Sequence, residues 1–167
     1  MKRNNHYERA FEAFLRERRL PYVAVDESKR ALFSGAKLKS FDFVVYSRGG
    51  PNLLIDVKGR KARGERPTFQ TWAQRRDVDD LYQWERIFGE EFRSLFAFVH
   101  EVDPLLTPPP GYFTFASSDG VERAYQIRGI ALRQYRDLMT RRSAKWDTVT
   151  VGLSDFLTAA KPIDAWL

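Results

Sequence analysis

The run Leu53-Leu54-Ile55-Asp56-Val57-Lys58 constrains this chain more than any other stretch. Its apolar residues are nearly continuous, and in a β-strand successive side chains alternate between faces. Apolar groups on both faces require cover on both sides, which places the strand inside a sheet flanked by helices. Asp56 and Lys58 share one face, while Leu53, Ile55 and Val57 share the other. A carboxylate in an apolar strand is costly unless it is paired or binds a cation. An Asp-x-Lys triplet alone fits the exposed tail of a strand equally well, so its surroundings decide its meaning.

Those surroundings are ordered. Phe41–Ser47 is a strand by its aromatic and β-branched content, and the Gly-Gly-Pro turn at 48–52 folds it back beside 53–58. With 13 residues between them, Asp42 and Asp56 can meet at one end of the hairpin. Upstream, residues 6–19 form an amphipathic helix with Tyr7, Ala10, Phe11, Phe14 and Leu15 on its apolar stripe and Asn4 or Asn5 as cap. Pro21 ends that helix, and a strand follows at 22–27. Residues 27–40 and 59–70 are basic and lack an apolar period, which predicts loops. A helix over 77–90 and a buried strand over 94–102 complete the order helix, three strands, helix, strand. After a Pro-rich connector, the pattern predicts a hairpin from 112–116 and 121–132, a helix over 132–142, a strand over 146–152 and a last helix over 153–160. The expectation is a single α/β domain over 1–167, with a core at 1–102 and a C-terminal α+β extension at 103–167.

Composition narrows the chemistry. The absence of cysteine excludes disulfides and thiolate metal sites and fits a cytoplasmic protein. With two histidines only, a metal site must rest on carboxylates, whose oxygens suit Mg²⁺ or Mn²⁺. No apolar run is long enough to span a membrane, and the N-terminus lacks the apolar run of a signal peptide. A formal charge of +6 and a pI near 9.7 fit a polyanionic partner.

Ser-Phe-Asp-Phe-Val-Val-Tyr followed by Leu-Leu-Ile-Asp-Val-Lys-Gly-Arg-Lys resembles the core of the PD-(D/E)XK nucleases. Within them, residues 4–102 look most like archaeal-type Holliday junction resolvases, which also begin with a Glu-Arg helix. The departures are Asp56 where those enzymes usually carry Glu, and residues 103–167, for which the minimal resolvase offers no counterpart. The resemblance implies a restriction endonuclease-like fold (αβββαβ, a mixed sheet flanked by helices) and metal-dependent hydrolysis of DNA phosphodiesters on branched or structured DNA. It implies that Asp42, Asp56, the Val57 carbonyl and an acid of the first helix hold Mg²⁺ or Mn²⁺. Lys58 would orient the attacking water or stabilise developing charge, and a homodimer would pair two such sites.

For the helix acid, Glu8 lies roughly 90° from the centre of the apolar stripe and Glu12 roughly 130°, so Glu8 is preferred over Glu12 and Glu17. Substrate backbone contacts are expected from Lys29, Arg30, Lys37 and Lys39 before Asp42, and from Arg60, Lys61, Arg63 and Arg66 after Lys58. Ser34 or Ser40 is a candidate for the scissile phosphate, Trp72 for base stacking, and Trp84 for the core. Arg141 and Arg142 are expected to end a helix and complement its dipole. A nuclease fold that binds nucleic acid or a protein without catalysis is the alternative.

Overall fold

The computed structural model describes residues 5–26, 31–33 and 36–167. Lys29, Arg30 and Ser34 lie outside the described residues.

Helix α1 (His6–Glu17) starts where the Asn5 side chain accepts a hydrogen bond from the Tyr7 N–H at 3.0 Å. Ala10, Phe11, Phe14 and Leu15 form its buried stripe. Strands β1 (Tyr22–Ala24), β2 (Ala31–Phe33), β3 (Ala36–Leu38), β4 (Phe43–Val45) and β5 (Asn52–Lys61) follow. The segment expected to be a loop at 27–40 therefore contains the β2–β3 hairpin. β5 also runs three residues past Lys58, because β7 (Phe92–Val102) offers it a parallel ladder from Asn52↔Phe92 to Lys61↔Glu101. Between them lie β6 (Ala73–Gln74) and α2 (Arg75–Phe88), which ends at Gly89 with φ 89°, a conformation that favours glycine.

The C-terminal part supplies β8 (Tyr112–Ala116), β9 (Glu122–Ala131), α3 (Leu132–Leu138), β10 (Thr140–Ser143), β11 (Thr148–Thr150), α4 (Leu153–Ala159), β12 (Lys161–Pro162) and a closing 3₁₀ turn. Its strand β9 pairs antiparallel with β7, extending the main sheet to the order β1-β4-β5-β7-β9-β12, with β8 also on β9. Residues past 102 thus continue the core sheet. The helix expected over 132–142 stops at Leu138; Arg141 and Arg142 belong to β10, which pairs with β11 and through it with β6. Cross-strand partners there override a local preference for helix.

The mixed sheet has a core on each face. α1 packs its phenylalanines on Phe43, Leu53, Ile55 and Val57, while Leu54, Phe96, Phe98 and Ile130 pack against Leu81 of α2, Tyr135 of α3 and Phe156 of α4. Both faces of β5 are covered, as its sequence requires. Among the described residues no helix is long and apolar enough to cross a membrane.

Candidate active site

On β5, Asp56 and Lys58 alternate with Val57, so they face α2 while Val57 faces α1. Asp42 sits just before β4. Its backbone N–H donates to the Ile55 carbonyl, and its carbonyl accepts from the Val25 N–H, both at 2.9 Å. Its carboxylate Oδ2 accepts from the Val57 N–H at 2.6 Å. The hairpin therefore clasps the Asp42 carboxylate onto the residue that separates Asp56 from Lys58.

The Lys58 ammonium is held by two carboxylates. Nζ lies 2.9 Å from Asp56 Oδ1 and 2.5 Å from Asp77 Oδ2, with all three residues buried. Asp77 stands in the first turn of α2, where the helix dipole favours an anion, and its other oxygen takes Lys39 Nζ at 2.6 Å. The two carboxylates are thereby pushed apart. Burial drives the Asp56 carboxyl above its ordinary range, and the Lys58 charge offsets this only in part because Asp77 opposes it. Burial pushes Asp77 the same way, but Lys58 and Lys39 together outweigh it and hold its carboxyl below the usual range. For Lys58, burial favours loss of the proton, yet the two carboxylates win and keep the ammonium charged.

Asp77 was not singled out from the sequence, although a signal was present. It lies four residues before Leu81 and eight before Glu85, so it shares the helix face that these two buried residues mark. An aspartate on the apolar stripe of a helix beside an Asp-x-Lys strand needs a buried cation, and Lys58 is that cation.

The segment before Asp42 is stitched to α2. The Lys39 N–H donates to Asp80 at 2.9 Å, the Trp84 indole N–H donates to the Lys39 carbonyl at 2.8 Å, and the Arg76 guanidinium donates to the Lys37 carbonyl at 3.0 Å. Trp84 also packs edge-on against Phe41, which accounts for its place on the helix. Lys39, Ser40, Phe41, Asp56, Asp77 and Trp84 line a narrow cleft between the strand and α2.

The structure separates the remaining candidates. α1, which carries Glu8, packs on the opposite face of the sheet from Asp56 and Lys58, and the Glu8 carboxylate accepts from the Asn5 amide at 2.9 Å. Glu12 takes Arg16 and the Tyr22 hydroxyl, and Glu17 pairs with Arg18. His6 joins the Tyr125 hydroxyl through Nδ1 at 2.8 Å, which ties it to β9. Arg60 folds inward: it donates to the Gly59 and Trp72 carbonyls and its guanidinium lies 3.8 Å from the Trp72 ring centre. Arg63 pairs with buried Glu101 at 3.4 Å, whereas Lys37, Lys61 and Arg66 are exposed.

Among the described residues no group of three or more histidine, aspartate or glutamate side chains converges as a metal-ligating cluster. The donor chemistry nevertheless suits a hard cation: Asp42 and Asp56 bring buried carboxylate oxygens to either side of the Val57 backbone, beside the Asp77–Lys58 pair.

No family model matches the chain, and no curated protein matches it in sequence. A solved structure is similar in fold: Hjc of Archaeoglobus fulgidus, a Holliday junction resolvase from an archaeal hyperthermophile, with 13% identity and a TM-score of 0.57. The likeness covers 96% of this chain and 97% of that chain, so it runs well past residue 102. A mixed sheet covered by helices on both faces, with Asp42, Asp56, Lys58 and Asp77 gathered at β4, β5 and the start of α2, is thus set in the fold of an archaeal resolvase.

Proposed function

We propose that this protein is a metal-dependent DNA endonuclease of the PD-(D/E)XK type, acting on branched or structured DNA. The observation that carries the reading is the buried ammonium of Lys58 between Asp56 and Asp77, with Asp42 held to the intervening backbone. Buried, charge-coupled carboxylates beside a lysine are characteristic of functional sites, and their oxygens suit a divalent cation. The likeness to Hjc supports the DNA substrate and the branched form of it.

Asp42, Asp56 and the Val57 carbonyl would hold Mg²⁺ or Mn²⁺, with Glu8 proposed as a fourth donor from the α1 side, next to Tyr7, which lies against Gly59 of β5. A cation bound there would supply a water of lowered pKa and charge relief at the phosphate. Lys58 stays protonated beside two carboxylates. A charged ammonium is unsuited to take a proton from water and well suited to stabilise charge building on the phosphoryl oxygens. Asp77 and Lys39 act as positioning residues, fixing the ammonium between strand and helix. A homodimer that presents two such sites to one junction is part of the same proposal.

The test is incubation of the protein with linear, single-stranded and four-way DNA in Mg²⁺ or Mn²⁺. Cleavage should disappear in Asp56→Ala and Lys58→Ala while DNA binding persists. Binding without cleavage in either metal would leave the non-catalytic reading, and neither binding nor cleavage would overturn the DNA assignment.

A further inference from the structure

The β10–β11 hairpin stands beside β6, away from the buried charges on β5 and α2. It presents Arg141, Arg142 and Lys145 on its exposed surface, with Trp146 at its tip 68% exposed. Residues 140–147 carry three cations and one acid, Asp147, for a formal +2 (three minus one). Among the described residues no carboxylate pairs with these three cations; Arg142 and Lys145 instead lie against indole rings, at 5.1 Å from Trp72 and 5.1 Å from Trp146. The ordinary reading of such a run is a solvated face.

Its placement argues for more. β11 pairs with β6, and β6 leads directly into the turn of α2 that carries Asp77. The Arg75 N–H at the start of that helix donates to the Asp147 carbonyl at 2.9 Å, fixing the hairpin tip to α2. On the other side, Trp72 lies between Arg142 and Arg60, and Arg60 follows Lys58 by two residues on the same strand. The contacts Arg60–Trp72–Arg142 therefore connect the strand that carries Lys58 with the hairpin, whose tip adds Lys145 against Trp146. Exposed cations such as Arg141, Arg142 and Lys145 neutralise a phosphate backbone, and an exposed indole such as Trp146 stacks on an unpaired base.

We propose that the β10–β11 hairpin is a DNA-binding wing. It takes the strand that leaves the catalytic cleft, with Arg141 and Arg142 on its phosphates and Trp146 against an unstacked base. This deepens the nuclease reading and rests on it for the direction of the strand. It also gives Arg141 and Arg142 a role outside any helix end.

The test reads DNA binding by fluorescence anisotropy in EDTA, on full-length protein, with a labelled duplex and the same duplex carrying a single-stranded fork. Arg141→Ala/Arg142→Ala should weaken binding of both DNAs at least about tenfold and flatten the dependence of log K on log salt by about 1.4–1.8. Trp146→Ala should cost at least about fivefold on the fork and little on the duplex. Arg86→Ala/Arg93→Ala, which removes one exposed cation from the last turn of α2 and one from the start of β7, should change neither. Thermal melts check that each variant is folded, which the exposure of Trp146 favours. The wing is overturned if the hairpin variants bind like the parent, if the Arg86/Arg93 control loses as much, or if RNA of the same sequence binds and DNA does not. Because binding is read without metal, a protein that binds through the hairpin but never cleaves refutes the nuclease alone. One that cleaves and binds normally after the hairpin substitutions refutes the wing alone.

Discussion

Replacing Lys58 with methionine isolates the electrostatics of the site. The side chain is 8% exposed, and its ammonium touches Asp56 at 2.9 Å and Asp77 at 2.5 Å. Removing one partner of a buried ion pair costs about 3–5 kcal/mol, because the remaining charge is stranded away from water. Asp77 keeps Lys39 at 2.6 Å, so Asp56 bears most of the loss and the expected cost is at the low end, about 3 kcal/mol. For a chain of this length each kcal/mol moves the melting temperature by about 2–4 °C, which gives a fall of about 6–12 °C. Converting Asp56 to asparagine in the same protein removes the stranded charge and should recover about 1–3 kcal/mol as coupling in the double-mutant cycle. Urea denaturation and thermal melts in metal-free buffer supply both quantities. If Lys58→Met lies within about 1 kcal/mol of the parent, or the two substitutions add within about 0.5 kcal/mol, Lys58 is not the counter-charge argued for it.

Three further outcomes follow from other parts of the structure. His100 is buried against Phe69, Phe98 and Phe156, and burial, reinforced by Arg60 and Arg128 against a hydrogen bond to the Gln70 carbonyl, lowers its pKa to about 4. The unfolded chain then binds a proton below pH 6.5 that the folded chain refuses until about pH 4. Stability present above pH 6.5 should therefore fall by about 3 kcal/mol as pH drops to 4, and urea titrations of His100→Gln should lack that slope. A Cβ at Gly59 would strike the Tyr7 ring, so Gly59→Ala should destabilise by about 1–3 kcal/mol in thermal melts and be partly relieved by adding Tyr7→Ala. Glu8→Gln should lower metal-dependent cleavage at least about tenfold while Glu12→Gln leaves it near the parent rate. Equal effects of the two would remove Glu8 from the site.

The alternation of Asp56 and Lys58 with apolar neighbours was legible because a two-residue period is a property of the strand itself, whatever packs on it. The cover on both faces was legible for the same reason, since Leu53, Ile55 and Val57 to one side and Leu54 to the other leave no polar face. α1, with its stripe from Ala10 to Leu15, and the Gly-Gly-Pro turn at 48–52 were equally local. Tertiary structure decided what depends on partners distant in the chain. β5 reaches Lys61 because β7 stands beside it, and residues 140–143 extend because β11 and β6 complete a sheet there. Asp77 joined the site only when α2 crossed the sheet and set it 2.5 Å from Lys58. Arg60, read as a free cation from its run of basic neighbours, turned inward onto Trp72 for the same kind of reason. A sequence states which charges a strand must compensate; which residue compensates them depends on the packing of helix against sheet.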